Sequence, residues 1–382
     1  MTLTHDQKVA LVAQRWRGRR VAAAMSGGVD SSVTAALLKE AGCDVVGITM
    51  KLWDYAAVGG DQKKDGSCCT LEAFMDARSV CEKMGIPHYA IDLTEAFEST
   101  VIRYFVDEYR RGRTPNPCVI CNIEIKWAAL WRKAREIGCE AIATGHYACL
   151  DHEGQGDVVV RRGFDASRDQ TYFLWGVPLE HFTHTIFPLG PLLKTEVRKL
   201  AADYGLINAE KAESRDICFV ADDDLPRFLS ERAARDGSST TPGSFIDKHG
   251  NVVGEHHGFE SLTVGQRRGL GISFGKRQYV TDIDASSAAV VLGDDADLWR
   301  KSCEVGALNW LVDLSSGSFD AMVQIRYRHE ASPARVTLAG KSCEVTFSVA
   351  QRAITPGQSA VFYDTRNERL LGGGVIEFVP RN

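Results

Sequence analysis

Seven residues constrain this chain more than any others: Ser26-Gly27-Gly28-Val29-Asp30-Ser31-Ser32. They follow an apolar run, Val21 to Met25, and precede a helix-like run, Val33 to Lys39. The order is strand, glycine loop, helix start. Two glycines let the backbone pass close to a ligand, and the helix N-terminus offers N–H groups and a positive dipole end to an anion. Asp30 is out of place beside a bare anion, so the pattern asks for a metal ion between them. The reading is a pyrophosphate-and-magnesium site. The loop lacks the Gly-Lys-Ser/Thr of a Walker A sequence and is not the dinucleotide fingerprint.

The pattern around the loop predicts an α/β fold. Strands are expected at Val21–Met25, Asp44–Met50, Pro87–Ile91 and Glu140–Thr144, with helices at Leu71–Met84, Glu95–Arg110, Asn122–Ile137 and Lys194–Tyr204. Such alternation predicts a doubly wound parallel sheet, with ligands beyond the carboxyl ends of its strands. The Ser26 loop, Met50 and Gly145-His146 fall at such ends. From about Leu225 the character changes. Asp236 to Gly243 is turn-rich, and Gly243 to Leu292 reads as a small β-containing middle module. From about Cys303, evenly spaced short strands predict a small antiparallel β-barrel or sandwich. The expected division is 1–223, 224–292 and 293–382.

With 382 residues, 44% hydrophobic and 25% charged, the chain has the composition of a globular protein of two or three domains. No run reaches the length of a membrane span, and Met1 to Arg20 lacks the apolar core of a signal peptide, so neither a membrane partner nor export is expected. A formal net charge of −5 excludes a strongly basic fold. It leaves room for local basic patches such as Arg110-Arg111-Gly112-Arg113 and Arg326-Tyr327-Arg328.

Eleven cysteines in a chain without export signals point to metal binding or catalysis ahead of a disulfide framework. Cys43, Cys81, Cys139, Cys149, Cys303 and Cys343 lie in apolar or helical contexts and read as core residues. Cys68, Cys69, Cys118, Cys121 and Cys218 lie in loop-like contexts. In Thr114-Pro115-Asn116-Pro117-Cys118-Val119-Ile120-Cys121-Asn122 two prolines stiffen the approach. The second cysteine is expected at a helix start, where the dipole favours a thiolate. The CxxC spacing fits a redox pair, half a zinc site or part of an iron–sulfur site. A third segment, Glu213-Ser214-Arg215-Asp216-Ile217-Cys218-Phe219-Val220, carries one more cysteine.

The Ser26 loop resembles the PP-loop of ATP pyrophosphatases, which split ATP between its α and β phosphates. Taken in order with Thr114–Asn122, Ala143-Thr144-Gly145-His146-Tyr147-Ala148 and Ile217-Cys218-Phe219, it is similar to the tRNA-specific 2-thiouridylase family. The resemblance extends through Leu262 to Gly271, Gln324 to His329 and Thr355-Pro356-Gly357-Gln358. It implies a cytoplasmic enzyme that makes 2-thiouridine at the wobble position of tRNAs for lysine, glutamate and glutamine. ATP and magnesium would be used, with sulfur from a relay protein or cysteine desulfurase. It further implies that Ala24, Met25, Ser26, Gly27, Gly28, Val29, Asp30, Ser31, Met50 and Gly145 hold ATP, with Asp30 on the magnesium. Asn116, Pro117 and Cys118 would lie against the target base. His146, Arg168, Asp169, Gln170, Arg326, Tyr327 and Gln358 would touch tRNA. Cys121 matches the nucleophile and Cys218 the persulfide carrier, a pair able to form a transient disulfide.

Two positions depart from the family pattern. Ala24 stands where the family often has glycine. Cys118 stands where many members have aspartate, and a thiol of pKa about 8.5 cannot replace a carboxyl of about 3.9 in acid–base work. That substitution opens an alternative in which Cys118, Cys121 and Cys218 hold a [4Fe-4S] cluster. The competing readings are a PP-loop synthetase acting on a small molecule and a metal- or cluster-binding module with an incidental glycine loop.

Overall fold

Val21, Ala22 and Ala23 have no exposed surface, as a strand covered on both faces requires. They belong to β1 (Arg20–Ala24), the centre of a sheet with β2 (Asp44–Lys51), β3 (His88–Asp92), β4 (Ala141–Ala143) and β7 (Thr185–Ile186). Its order is β3-β2-β1-β4-β7 and every pairing is parallel. Order therefore runs outward from β1 in both directions, and the Ser26 loop leaves the sheet where it reverses. That is the crevice where open α/β sheets bind ligands. The computed structural model describes residues 4–53, 71–153, 157–211, 217–220, 222–272, 277–314 and 317–380. Cys68, Cys69 and Glu213 to Asp216 lie outside them.

The chain divides into two units. The first comprises 1–101, 118–223 and 368–370, and the second 102–117, 224–367 and 371–382. The first holds the parallel sheet and a core that includes Val33, Leu37, Val80, Leu189 and Val197. Two of its elements lack a clear sequence signal. The helix His5–Trp16 is closed by a Thr4–Gln7 capping box. A hairpin pairs β5 (Ala148–Glu153) with β6 (Asp157–Arg162).

The second unit holds two β modules. In the middle one, β8 (Gly243–Asp247), β9 (Val252–His256), β10 (Tyr279–Asp284) and β11 (Ala289–Gly293) are ordered β10-β11-β8-β9. The other is a closed barrel of β12 (Trp299–Trp310), β13 (Ser318–Gln324), β14 (Ser332–Ala339), β15 (Ser342–Arg352), β16 (Ser359–Tyr363) and β17 (Leu370–Phe378). Closure removes the sheet edges. In β15 the inward residues Cys343, Val345 and Phe347 are buried while their neighbours face out, the alternation of a half-buried strand. Of barrel and sandwich, the barrel is what forms.

The two long helices predicted at Glu95–Arg110 and Asn122–Ile137 are each interrupted by π-helical turns, Glu98–Ile102 and Cys121–Leu130. The second helical run begins at Pro117, where a missing proline N–H costs nothing. Cys118, not Cys121, therefore sits in the first turn. The dipole fades within about one turn, so the expected dipole activation falls on Cys118 and only weakly on Cys121. π-turns of this kind are frequent at functional sites.

Candidate functional site

The Ser26 loop is built so that its backbone faces outward. Gly27 has φ +72°, and a Cβ there would lie 2.1 Å from the Ala73 carbonyl oxygen. Only glycine fits on both counts. Gly28 is the N-cap of the helix Val29–Glu40 and makes no side-chain cap bond, which leaves first-turn amides for an anion. The serines brace the loop from inside. Ser31 Oγ and Ser32 Oγ donate to the Gly28 carbonyl at 2.9 and 3.0 Å. Asn208 Nδ2 donates to the Gly27 carbonyl and to Ser32 Oγ at 3.0 and 2.9 Å. Gly145 closes one side, since a Cβ on it would stand 3.0 Å from Asp30 Cβ. Met50 lies two residues beyond Ile48, whose carbonyl accepts from Met25 N–H at 2.8 Å.

Asp30 is held by partners that sequence reading missed. Lys194 Nζ lies 2.7 and 2.8 Å from its two oxygens, and Tyr147 Oη donates to Oδ1 at 2.9 Å. Tyr147 in turn exchanges two bonds with Gln170, through the Gln170 side-chain oxygen and the Gln170 backbone N–H, both at 3.0 Å. Lys194 opens the helix Lys194–Asp203, where a cation opposes the dipole. That conflict was the available signal. A single carboxylate with substrate phosphates is an ordinary magnesium donor set, so Asp30 fits the metal in kind. Here its oxygens face an ammonium.

Several residues expected against tRNA are turned inward. Asp169 is 8% exposed. It accepts from Gly163 N–H, Arg162 and Thr171 Oγ1 at 2.9, 2.6 and 2.7 Å. A buried carboxylate so satisfied is a brace, and its charge would repel a phosphate. His146 is buried too, among Trp127 and Phe187. Burial, with the Lys126 ammonium nearby, holds its pKa well below the usual histidine value. Its Nε2 therefore accepts from Lys126 Nζ at 3.4 Å, and its Nδ1–H donates to Thr144 Oγ1 at 2.6 Å. Gln358 spends its amide hydrogens on the Thr114 and Pro115 carbonyls at 2.9 and 3.2 Å. It holds the segment leading to Asn116-Pro117. Arg168, Arg326 and Tyr327 are half-buried, and Arg326 donates to the Ala353 carbonyl at 2.9 Å.

Cys118 is exposed, and Cys121 and Cys218 are half-buried. Next to Cys121, Asn122 anchors the turn through a bond to the Phe173 carbonyl at 2.8 Å. Next to Cys218, Phe219 is 1% exposed and meets Phe97 edge-on at 5.7 Å. The other described cysteines differ. Burial pushes Cys43, Cys81 and Cys149 up to about 11 and Cys343 to about 12, and raises Cys139 and Cys303 as well. Thiols of that kind are inert at neutral pH. Cys43 and Cys149 are half-buried, short of the full core burial expected. None of the nine described cysteines is in a disulfide. Among the described residues no three His, Cys, Asp or Glu side chains gather as a metal site. Cys118, Cys121 and Cys218 do not form such a group.

Known proteins match most of the chain. Family models match consecutive stretches: a tRNA methyl transferase HUP domain at 19–222, a PRC-barrel domain of the same series at 231–294, and an aminomethyltransferase β-barrel domain at 300–376. The tRNA-specific 2-thiouridylase MnmA of Salinibacter ruber is 46% identical over 365 residues, 94% of each chain. That of Geobacter metallireducens is 45% identical over 361 residues, 94% of this chain and 97% of that one. The chain belongs to the MnmA family. Its fold is accordingly a PP-loop domain, a PRC-barrel-like module and a C-terminal six-stranded barrel. Among solved structures, NMN synthetase from Francisella tularensis overlays with a TM-score of 0.34 at 14% identity, covering 63% of this chain and 89% of that one. So loose an overlay carries no argument. No helix among the described residues is long and apolar enough to cross a membrane.

Proposed function

We propose that this enzyme is an ATP-dependent tRNA 2-thiouridylase acting on the wobble uridine. The observation that carries the reading is 45–46% identity to 2-thiouridylases over 94% of the chain, combined with the Ser26–Ser32 loop at the switch point of the sheet. The methyl-transferase description of two of the matching families fits less well, because methyl transfer has no use for a loop that cradles pyrophosphate. A small-molecule synthetase would not need the barrel or the cysteines.

The uracil C2 carbonyl is a poor electrophile because oxide is a poor leaving group. Attack of the C2 oxygen on the α-phosphorus of ATP forms a P–O bond and breaks the bond to the β-phosphate, and pyrophosphate departs. AMP then becomes the leaving group at C2. The amides of Gly28 to Ser31 would bind the phosphates. Magnesium held by Asp30 would neutralise charge there. The terminal sulfur of a Cys218 persulfide attacks C2 as the bond to AMP breaks. Cys121 thiolate then attacks the inner sulfur, leaving 2-thiouridine and a Cys121–Cys218 disulfide, which an outside thiol reduces. A second order of events, in which Cys121 first frees the sulfur as sulfide, uses the same residues. The base must unstack from the anticodon loop to reach them, at about a few kcal/mol.

In this scheme 1–223 carries the chemistry, and 224–292 and 293–382 serve tRNA binding. Asn116, Pro117 and Cys118 lie against the base. Arg168, Arg326 and Tyr327 contact tRNA directly, whereas His146, Asp169, Gln170 and Gln358 act by holding neighbours in place. The substrates are tRNAs for lysine, glutamate and glutamine, the sulfur donor is a relay protein or cysteine desulfurase, and the setting is the cytoplasm. Labelled ATP tests the reading. Pyrophosphate should appear only when tRNA is added, and release with no tRNA requirement would contradict it.

A further inference from the structure

Lys194 has an anchored backbone and carries its charge at the end of a four-carbon stem. Its N–H donates to Asp165 Oδ2 at 2.9 Å, and Glu196 accepts from the preceding N–H of Leu193 at 2.9 Å. The start of its helix is therefore pinned. The side chain is 9% exposed, with its ammonium on both Asp30 oxygens and 5.7 Å from the Tyr147 ring centre. A cation in the first helical turn is unfavourable by itself, and here the Asp30 carboxylate offsets it. A carboxylate engaged through both oxygens by an ammonium cannot serve a divalent cation equally well, because the two cations repel and compete for the same lone pairs.

We propose that Lys194 is an exchangeable cation that holds Asp30 until nucleotide binds, then yields Asp30 to the incoming magnesium and moves its ammonium to the pyrophosphate end of ATP. The four-carbon stem lets the charge shift while the helix stays fixed. During adenylation the α-phosphorus gains the uracil oxygen and loses the bridging oxygen, whose electron pair leaves with pyrophosphate. Lys194 neutralises that charge and keeps its own proton. Tyr147 remains on Asp30 Oδ1 and preserves its orientation. The inference rests on the ATP-pyrophosphatase reading above.

The test uses full-length wild type, Lys194→Met and Lys194→Arg, each checked by thermal melting. Calorimetric ATP binding is measured across a magnesium series, and tRNA-dependent pyrophosphate release at saturating magnesium. Lys194→Met should half-saturate at several-fold lower magnesium, because nothing competes for Asp30. Its release rate should fall on the order of 100-fold, the usual loss when a charge-stabilising donor is removed. Lys194→Arg should need more magnesium, since a guanidinium grips a carboxylate through two parallel bonds, and should retain part of the rate. A purely structural lysine predicts weaker ATP binding for Lys194→Met at every magnesium concentration with no leftward shift, and that result overturns the proposal. If Lys194→Met fails to melt cooperatively, Lys194→Arg decides alone: an unchanged magnesium requirement overturns the proposal. Wild type that binds magnesium and ATP but releases no pyrophosphate with tRNA would contradict the underlying reading, while the magnesium series still reports on Lys194.

Discussion

Gly27 and Gly28 look equivalent in the sequence and are not equivalent in the fold. Gly27 needs a positive φ and faces the Ala73 carbonyl, whereas a Cβ on Gly28 would meet nothing nearer than Ser26 Oγ at 3.5 Å. Gly27→Ala pays about 1–2 kcal/mol for the backbone conformation alone, before the helix Leu71–Met84 has to move. It should lower the melting temperature clearly and lose ATP binding. Gly28→Ala should melt close to wild type. Equal melting of the two variants would show that the loop is not held as described. The motif marks both glycines, but the clash that separates them comes from a helix more than forty residues away.

At the scale of elements, the strap Arg113 to Pro117 shows what the sequence conceals. It is tied down from several sides within its own unit. Thr114 N–H donates to the Pro356 carbonyl at 2.9 Å, and Thr114 Oγ1 donates to Thr263 Oγ1 at 3.1 Å. Gln358 donates to two strap carbonyls, and Arg113 pairs with buried Glu108 and with Glu377. Gln358→Glu keeps the size and removes the donors. It should slow thiolation by about 10-fold or more, as expected when a supporting contact moves a reacting group, with a smaller change in tRNA affinity. An affinity loss as large as the rate loss would return Gln358 to direct tRNA contact. The strap's prolines and cysteines were legible because they are chemically distinctive. Its supports were not, because Thr263 and Gln358 are ordinary polar residues whose meaning depends on long-range pairing. The π-turns were equally hidden: Glu98–Ile102 and Cys121–Leu130 share the apolar spacing of an ordinary helix.

At the scale of the whole molecule, periodicity identified the parallel sheet and the short strands of the C-terminal β domain, because burial on one or two faces leaves a direct mark on composition. It missed the helix His5–Trp16, the β5–β6 hairpin and β12. Polar surfaces dominate the first, and the last is a long strand with several register shifts against its neighbours. The same limit applies to the site. Loop and thiols were visible as motifs, while Lys194 and Asn208 reach the loop from separate elements and carry no motif, and Tyr147 lies in a motif that does not reveal its bond to Asp30. The central claim is that one chain activates a wobble uridine with ATP and delivers sulfur through Cys218 and Cys121. Nucleoside mass analysis of unmodified tRNA, incubated with ATP, magnesium, a persulfide donor and reductant, tests it most directly. Wild type should convert the wobble uridine to 2-thiouridine, and Cys121→Ser and Cys218→Ser should each give none while still binding ATP. A Cys218→Ser enzyme that thiolates tRNA as wild type does would contradict the account.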